Sequence, residues 1–317
     1  MLVTMKEILD HAKKGGYGVT APNVQSEDTV RAVLEVAEEY HAPMIVDVNA
    51  FIHTDLPWFI HMIRDLAEKV SVPVAINLDH GKSYEDIMLG INSGFTSIMV
   101  DRSSLSYEEN VEQTKEVVKM CKPLGISVEA ELGHVGMGNN YAVDGVNNLT
   151  VPNEAADFIK ETGVDCLAVA IGTAHGRYTG TPHIDFERLK QLVEACGDTP
   201  LVLHGGSGTG DENLRKAVQS GIQKVNLATE LIVAGKEELE GFIKDPNFDK
   251  WKLIPAFKKG YKDRLAHYVE LFDQAGKAWG ERKRTAVPAV WKLFLNRELF
   301  PVNGNLSSYR KRSYIWK

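Results

Sequence analysis

Eight short apolar runs punctuate the chain, at residues 17–23, 43–48, 72–78, 95–100, 126–131, 165–170, 200–203 and 222–226. Each is continuous rather than alternating, the pattern of a parallel strand covered on both faces. Between them, apolar residues recur at i, i+3, i+4 and i+7 over 27–40, 58–69, 107–122, 154–161, 186–195 and 211–219. That spacing predicts helices packed by one face. Gly94, Gly125, Gly163 and Gly221 each stand shortly before the next strand, where a left-handed residue ends a helix. Eight strand–helix units in about 230 residues predict a (β/α)8 barrel, one domain with extra C-terminal helices. An open doubly wound sheet is the alternative, but its first turn is normally Gly-rich and Asn23-Val24-Gln25-Ser26 is not.

Two segments break the repeat. Residues 134–149 are polar and rich in Gly and Asn, and a connection of this length after the fifth strand predicts a functional loop. The barrel is expected over 1–279. Residues 280–317 carry nine Lys/Arg against two Glu without clear periodicity, and read as a basic interaction tail or an appended, disordered segment.

The net charge of −7 argues against nucleic acid or an anionic membrane as the main partner. Cys121, Cys166 and Cys196 show no Cys-x-x-Cys spacing, which reads as a reduced, cytoplasmic protein without a cysteine zinc site. The N-terminal stretch reads as a polar helix, and no run approaches the ~18 apolar residues of a membrane span.

In a barrel the chemistry gathers where strands end. Asp79 and His80 follow the third run, Glu131 ends the fifth, His175 follows the sixth and His204 the seventh. Three imidazoles converging with carboxylates on one mouth suit a catalytic zinc ion with an open position. The Gly-rich His204-Gly205-Gly206-Ser207-Gly208 and the helix-opening Asn226-Leu227-Ala228-Thr229 follow the last two strands. Barrel phosphate sites are commonly built there, from backbone N–H groups and a helix N-terminus.

The segments 76–81 (INLDHG), 128–133 (VEAELG), 170–178 (AIGTAHGRY), 201–208 (LVLHGGSG) and 224–230 (KVNLATE) resemble, in order, the motifs of class II ketose-bisphosphate aldolases, most closely the tagatose-bisphosphate type. The resemblance covers roughly residues 5–279. It implies cleavage of a phosphorylated ketose, like tagatose or fructose 1,6-bisphosphate, to dihydroxyacetone phosphate and an aldehyde. It implies zinc on His80, His175 and His204, with Glu131 as a further or alternate ligand, and Asp79 as acid/base on the C4 hydroxyl. Asn23, Gly176, Gly205, Gly206, Ser207, Asn226, Leu227, Ala228 and Thr229 would contact dihydroxyacetone phosphate, beside a monovalent cation. A homodimer or homotetramer is the family habit.

Four positions depart from that pattern. The loop after Glu131 carries a proton-abstracting glutamate in relatives, whereas Gly136-Met137-Gly138-Asn139-Asn140 brings no carboxylate until Asp144, the candidate substitute. Lys250 stands where relatives reach across a subunit interface with an arginine, and lysine lacks the bidentate fork for a second phosphate. Asn49 replaces a small hydroxyl or Gly, and Arg102 a Gly. All but the loop change are expected on the aldehyde half, which predicts a non-standard aldehyde or ketose stereoisomer. Two other classes fit the same residues in part: a zinc hydrolase, which leaves the two phosphate loops unexplained, and a non-catalytic binding barrel, which does not need Asp79.

Overall fold

Strand and helix alternate as the apolar pattern predicts, in a computed structural model that describes residues 1–138, 148–176, 178 and 182–280. Strands β1 (Val19–Pro22), β2 (Met44–Asn49), β3 (Val74–Gly81), β4 (Ser97–Val100), β5 (Ser127–Leu132), β6 (Cys166–Val169), β7 (Leu201–Leu203) and β8 (Ile222–Leu227) pair in parallel in the order β1-β8-β7-β6-β5-β4-β3-β2. Between β1 and β2 a bridge sets Asn23 against Asp47, with Val24 N–H donating to Asp47 O at 3.0 Å. The sheet is a nearly closed barrel, and the open-sheet alternative is excluded.

Helices α2 (Glu27–Glu39), α3 (Leu56–Ala67), α4 (Tyr84–Ser93), α5 (Tyr107–Cys121), α6 (Pro152–Thr162), α7 (Phe186–Cys196) and α8 (Asp211–Gln219) intervene between the strands or follow them. Ser26, Ser83 and Ser106 start three of these helices with reciprocal bonds to Thr29, Asp86 and Glu109, which satisfy backbone donors that helix ends leave open. Gly163, at φ 71°, ends α6 as its position predicts. Beyond the barrel, α9 (Thr229–Phe242) and α10 (Leu253–Leu271) are the extra C-terminal helices, joined side to side by Lys259 and Glu238 at 3.2 Å. None of the described helices is long and apolar enough to cross a membrane. The tail beyond Gly280 lies outside the described residues.

Because strand side chains alternate between faces, the sheet has two apolar clusters. The outer one holds Met44, Val46, Val48, Ile76 and Leu78 against the helices. The inner one holds Ile45, Ala75, Ala168 and Val202 together with Met5, Ile8, Leu9 and Ala12 of α1 (Met5–Gly15). The N-terminal helix is therefore not simply polar: one stripe of it closes the bottom of the barrel.

Two residues further along the same strands the interior turns polar. Asp47, Asn77, Glu129 and Lys224 are wholly buried. Lys224 Nζ lies 2.6 Å from Glu129 Oε2 and 3.7 Å from Asp47 Oδ2, and Asn77 Nδ2 donates to Asp47 Oδ1 at 2.9 Å. Burial, reinforced by the nearby Asp79 and Glu129 and only partly offset by Lys224, pushes the Asp47 carboxyl well above its usual range. Burial also opposes charge on Glu129, but Lys224 and His204 outweigh it and hold its pKa down. Lys224 and Glu129 are thus the ion pair of this layer. Truncating one partner of a buried pair leaves the other charge uncompensated. Lys224→Met is expected to destabilise the metal-free protein by about 3–5 kcal/mol, read as a lowered urea midpoint.

Candidate active site

The next step up the strands, again two residues on, is the mouth. Strand β3 extends through Asp79 and His80, which the sequence pattern places just beyond it. Regular alternation would send these neighbours to opposite faces. The register shifts between Leu78 and Gly81, and His80 sits at φ 53°, a left-handed backbone rarely taken by a non-Gly residue. The irregularity turns both side chains toward one point, with Asp79 Oδ1 3.8 Å from His80 Nε2. Such backbone costs about 1–3 kcal/mol and persists where the surroundings enforce it.

Three amides from three strand ends hold Asp79. Asn23 Nδ2 and Asn49 Nδ2 donate to Oδ2 at 2.7 and 3.0 Å, and Asn226 Nδ2 donates to Oδ1 at 3.1 Å. Burial opposes the carboxylate charge, but His80, His204, Lys224 and the Asn23 amide hold its pKa well below the usual range. Asn49 thus reaches Asp79 itself. Asn226 Oδ1 is buried without a hydrogen-bond partner.

His80, His175 and His204 meet as expected, with ring centroids 4.7–5.6 Å apart. His80 Nδ1 bonds Asp101 Oδ2 at 2.8 Å, leaving Nε2 toward His204 Nδ1 at 3.1 Å. His204 Nε2 in turn bonds Glu129 Oε1 at 2.8 Å. The His80 and His204 rings therefore each have one nitrogen fixed by a carboxylate and the other turned to the shared centre, the arrangement that orients metal-binding histidines. Burial resists charge on His80, yet Asp79, Asp101 and Glu131 push its pKa up to about 9. Burial and then the other two imidazoles push His175 down to about 3.

Two groups of side chains bring ligand atoms within 4.8 Å of one another: His80, His175 and His204, and His80, Asp101 and Glu131. Glu131 is 1% exposed; Oε1 accepts from Val135 N–H, and Oε2 is buried with no hydrogen-bond partner. An orphaned carboxylate oxygen beside three imidazoles fits a divalent cation, since a buried acceptor without a partner is otherwise unfavourable.

Asp101 and Glu129 were not among the sequence candidates, though each carried a signal. Asp101 directly follows the fourth run, the placement used to find the others. Glu129 is two residues before Glu131 and so shares its face. Tyr178 is a third addition: its hydroxyl accepts from Ala174 N–H at 2.7 Å and donates to Gly205 O at 3.2 Å, tying the His175 loop to the His204 loop. Gly205 is required at that approach, because at φ 70° a Cβ would lie 2.4 Å from Ala174 O.

The two loops expected to hold phosphate lie together. Ser207 Oγ accepts from Glu230 N–H, Gly208 N–H donates to Glu230 Oε1 at 2.8 Å, and α9 starts at Thr229, after Leu227 and Ala228, without a side-chain cap. Gly206 packs against Asn226 O, and Gly176 follows His175 with φ 79°. Arg102 does not face the aldehyde half as expected. It is 4% exposed, and its guanidinium is spent on Gly81 O, Lys82 O, Asp101 O and Gln113 Oε1. Lys250 sits in an exposed 3-10 turn between α9 and α10 and lines no part of the mouth in this chain. Asp144 lies outside the described residues. The mouth is a cavity of about 640 Å³ bounded by Asn49, Phe51, His80, Glu131, His134 and His175.

Comparison with known proteins agrees with this geometry. The family model described as fructose-bisphosphate aldolase class-II matches residues 3–277. A fructose-bisphosphate aldolase of Geobacillus stearothermophilus is 38% identical over 284 residues, 87% of this chain and 99% of that protein. The crystal structure of the YdjI aldolase from Escherichia coli K12 superposes with TM-score 0.79 at 36% identity, covering 88% of this chain and all of the other. A putative fructose-1,6-bisphosphate aldolase from Coccidioides immitis gives 0.76 at 28% identity, covering 86% and 97%. The chain belongs to the class II fructose-bisphosphate aldolase family and is an aldolase on a (β/α)8 barrel.

Proposed function

We propose that the enzyme is a zinc-dependent aldolase that reversibly cleaves a phosphorylated ketose into dihydroxyacetone phosphate and an aldehyde. The observation that carries this reading is the meeting of three imidazoles, the orphaned Glu131 oxygen and the caged Asp79 at one mouth. His80, His175 and His204 would hold the ion, with Glu131 as a further or alternate ligand. Bound zinc supplies a Lewis acid for the ketone and offsets the negative charge of the enediolate. Asp79, fixed by Asn23, Asn49 and Asn226, takes the C4 hydroxyl proton as the C3–C4 bond breaks and returns it in condensation. The N-terminus of α9, where Ala228 supplies no side-chain cap and Ser207 brings a hydroxyl, and the glycines of the 205–208 loop favour the phosphate of dihydroxyacetone phosphate, beside which a monovalent cation would sit.

The aldehyde half is less like that of a bisphosphate site. Among the described residues lining the cavity, Lys82 is the only Lys or Arg. Lys250 would reach a substrate only from a second subunit, in a homodimer or homotetramer, and without a guanidinium fork. The reading is a tagatose- or fructose-bisphosphate-like ketose with a non-standard aldehyde end or stereochemistry. Hydrolysis on the same ion leaves the two phosphate loops unexplained.

Four experiments test it. Asp79→Asn should lower cleavage about 10²–10⁴-fold at unchanged zinc content. In a panel of ketose mono- and bisphosphates, dihydroxyacetone phosphate should form without incorporation of labelled water oxygen, and another ketose should outperform fructose 1,6-bisphosphate. A clear preference for fructose 1,6-bisphosphate would sink the substrate reading. EDTA should abolish turnover and zinc restore it. In the metal-free protein, charged His80 contributes stability that is complete below pH ~6.5 and fades as pH rises through about 9. Zinc must displace that proton, so its apparent affinity should fall roughly tenfold per pH unit below that value, measured by chelator competition.

A further inference from the structure

The reading above requires a base for the carbon-bound proton of dihydroxyacetone phosphate. Asp79 is committed to the hydroxyl, and residues 136–143 contain no Asp or Glu. His134 stands at the mouth, three residues beyond Glu131, its side chain 43% exposed and Nδ1 3.9 Å from Glu131 Oε1.

Its hydrogen bonds fix which nitrogen is available. Ser103 Oγ donates to Asp101 Oδ1 at 2.8 Å, and Ser103 N–H reaches the same oxygen at 3.2 Å. A serine hydroxyl has one proton. With that proton given to Asp101, Ser103 Oγ can only accept from its other neighbour, His134 Nδ1, at 2.9 Å. His134 therefore carries its proton on Nδ1 and presents the lone pair on Nε2, which meets no partner among the described residues. Asp101 thus orients two imidazoles at once: His80 directly, and His134 through a hydroxyl. A base with its rear nitrogen held by an acceptor and its front nitrogen free is the arrangement proton abstraction needs.

We propose that His134 Nε2 is the group that removes and returns the carbon-bound proton of dihydroxyacetone phosphate, in place of Asp144. This rests on the reading that dihydroxyacetone phosphate occupies the mouth. The C–H bond breaks and an N–H bond forms at Nε2. The C–H electron pair becomes the second bond between the two carbons, and the carbonyl oxygen takes the negative charge of the enediolate. In cleavage the imidazolium returns that proton to the same carbon. Ser103 is a positioning residue.

The test is solvent deuterium exchange into dihydroxyacetone phosphate, followed by NMR with the zinc-loaded full chain. Exchange by the unaltered enzyme is the control on the underlying reading, and its absence would mean that reading has failed. His134→Gln is expected to slow exchange about 100-fold or more, while zinc stoichiometry and dihydroxyacetone phosphate affinity by calorimetry stay unchanged. A merely structural role would move those two as well. Ser103→Ala should slow exchange in the same direction by roughly tenfold, and Asp144→Asn should exchange at the unaltered rate. Exchange at the unaltered rate in His134→Gln, or its loss in Asp144→Asn with His134→Gln unaffected, overturns the proposal.

Discussion

The site depends on the alternation of side chains along the strands of a nearly closed sheet. Alternate residues of β2, β3, β5 and β8 enter the interior: above the apolar Ile45 and Ala75 of β2 and β3 comes a layer of Asp47, Asn77, Glu129 and Lys224, and two residues on stand Asn49, Asp79, Glu131 and Asn226. The middle layer is the critical one. Lys224 and Glu129 neutralise each other inside the protein, and Glu129 spends its second oxygen on His204. A buried ion pair contributes little to stability by its presence, but its disruption is expensive. Here it fixes the tautomer of an imidazole above it.

The carboxylates act as organisers more than as charges. Glu129 and Asp101 each claim one nitrogen of a histidine and leave the other for chemistry, and they claim opposite nitrogens: Nε2 in His204, Nδ1 in His80. Asp79 is organised in turn by three amides. Arg102 contributes from behind, because its guanidinium fastens the carbonyls of Gly81 and Lys82 to the end of β4. That clamp lies immediately after the left-handed His80, where the backbone would otherwise relax.

Much of this was legible in the residues. Strand number, helix ends and the convergence of Asp79, His80, Glu131, His175 and His204 follow from apolar periodicity and from the rule that barrel chemistry sits at strand ends. Hidden parts were those set by partners distant in sequence. Arg102 looked like a specificity residue because its motif position could not reveal four acceptors waiting behind it. Asn49 looked like an aldehyde contact until β2 was seen beside Asp79. Asp101 and Glu129 carried strand-end and same-face signals, but their contacts with His80 and His204, which aim those rings, are not contained in the residue pattern. The buried stripe of α1 was masked by the lysines around it.

That stripe has a consequence for how the chain is made. Met5, Ile8, Leu9 and Ala12 pack against Val202 of β7, and His11 stacks on Trp279 with ring centroids 3.7 Å apart. Helix α1 thus completes its packing only when strands far along the chain are in place. Contacts so remote in sequence slow folding, and until they form, the growing chain carries the apolar stripe of α1 unburied. Synthesis should therefore be the period in which this protein most needs a chaperone.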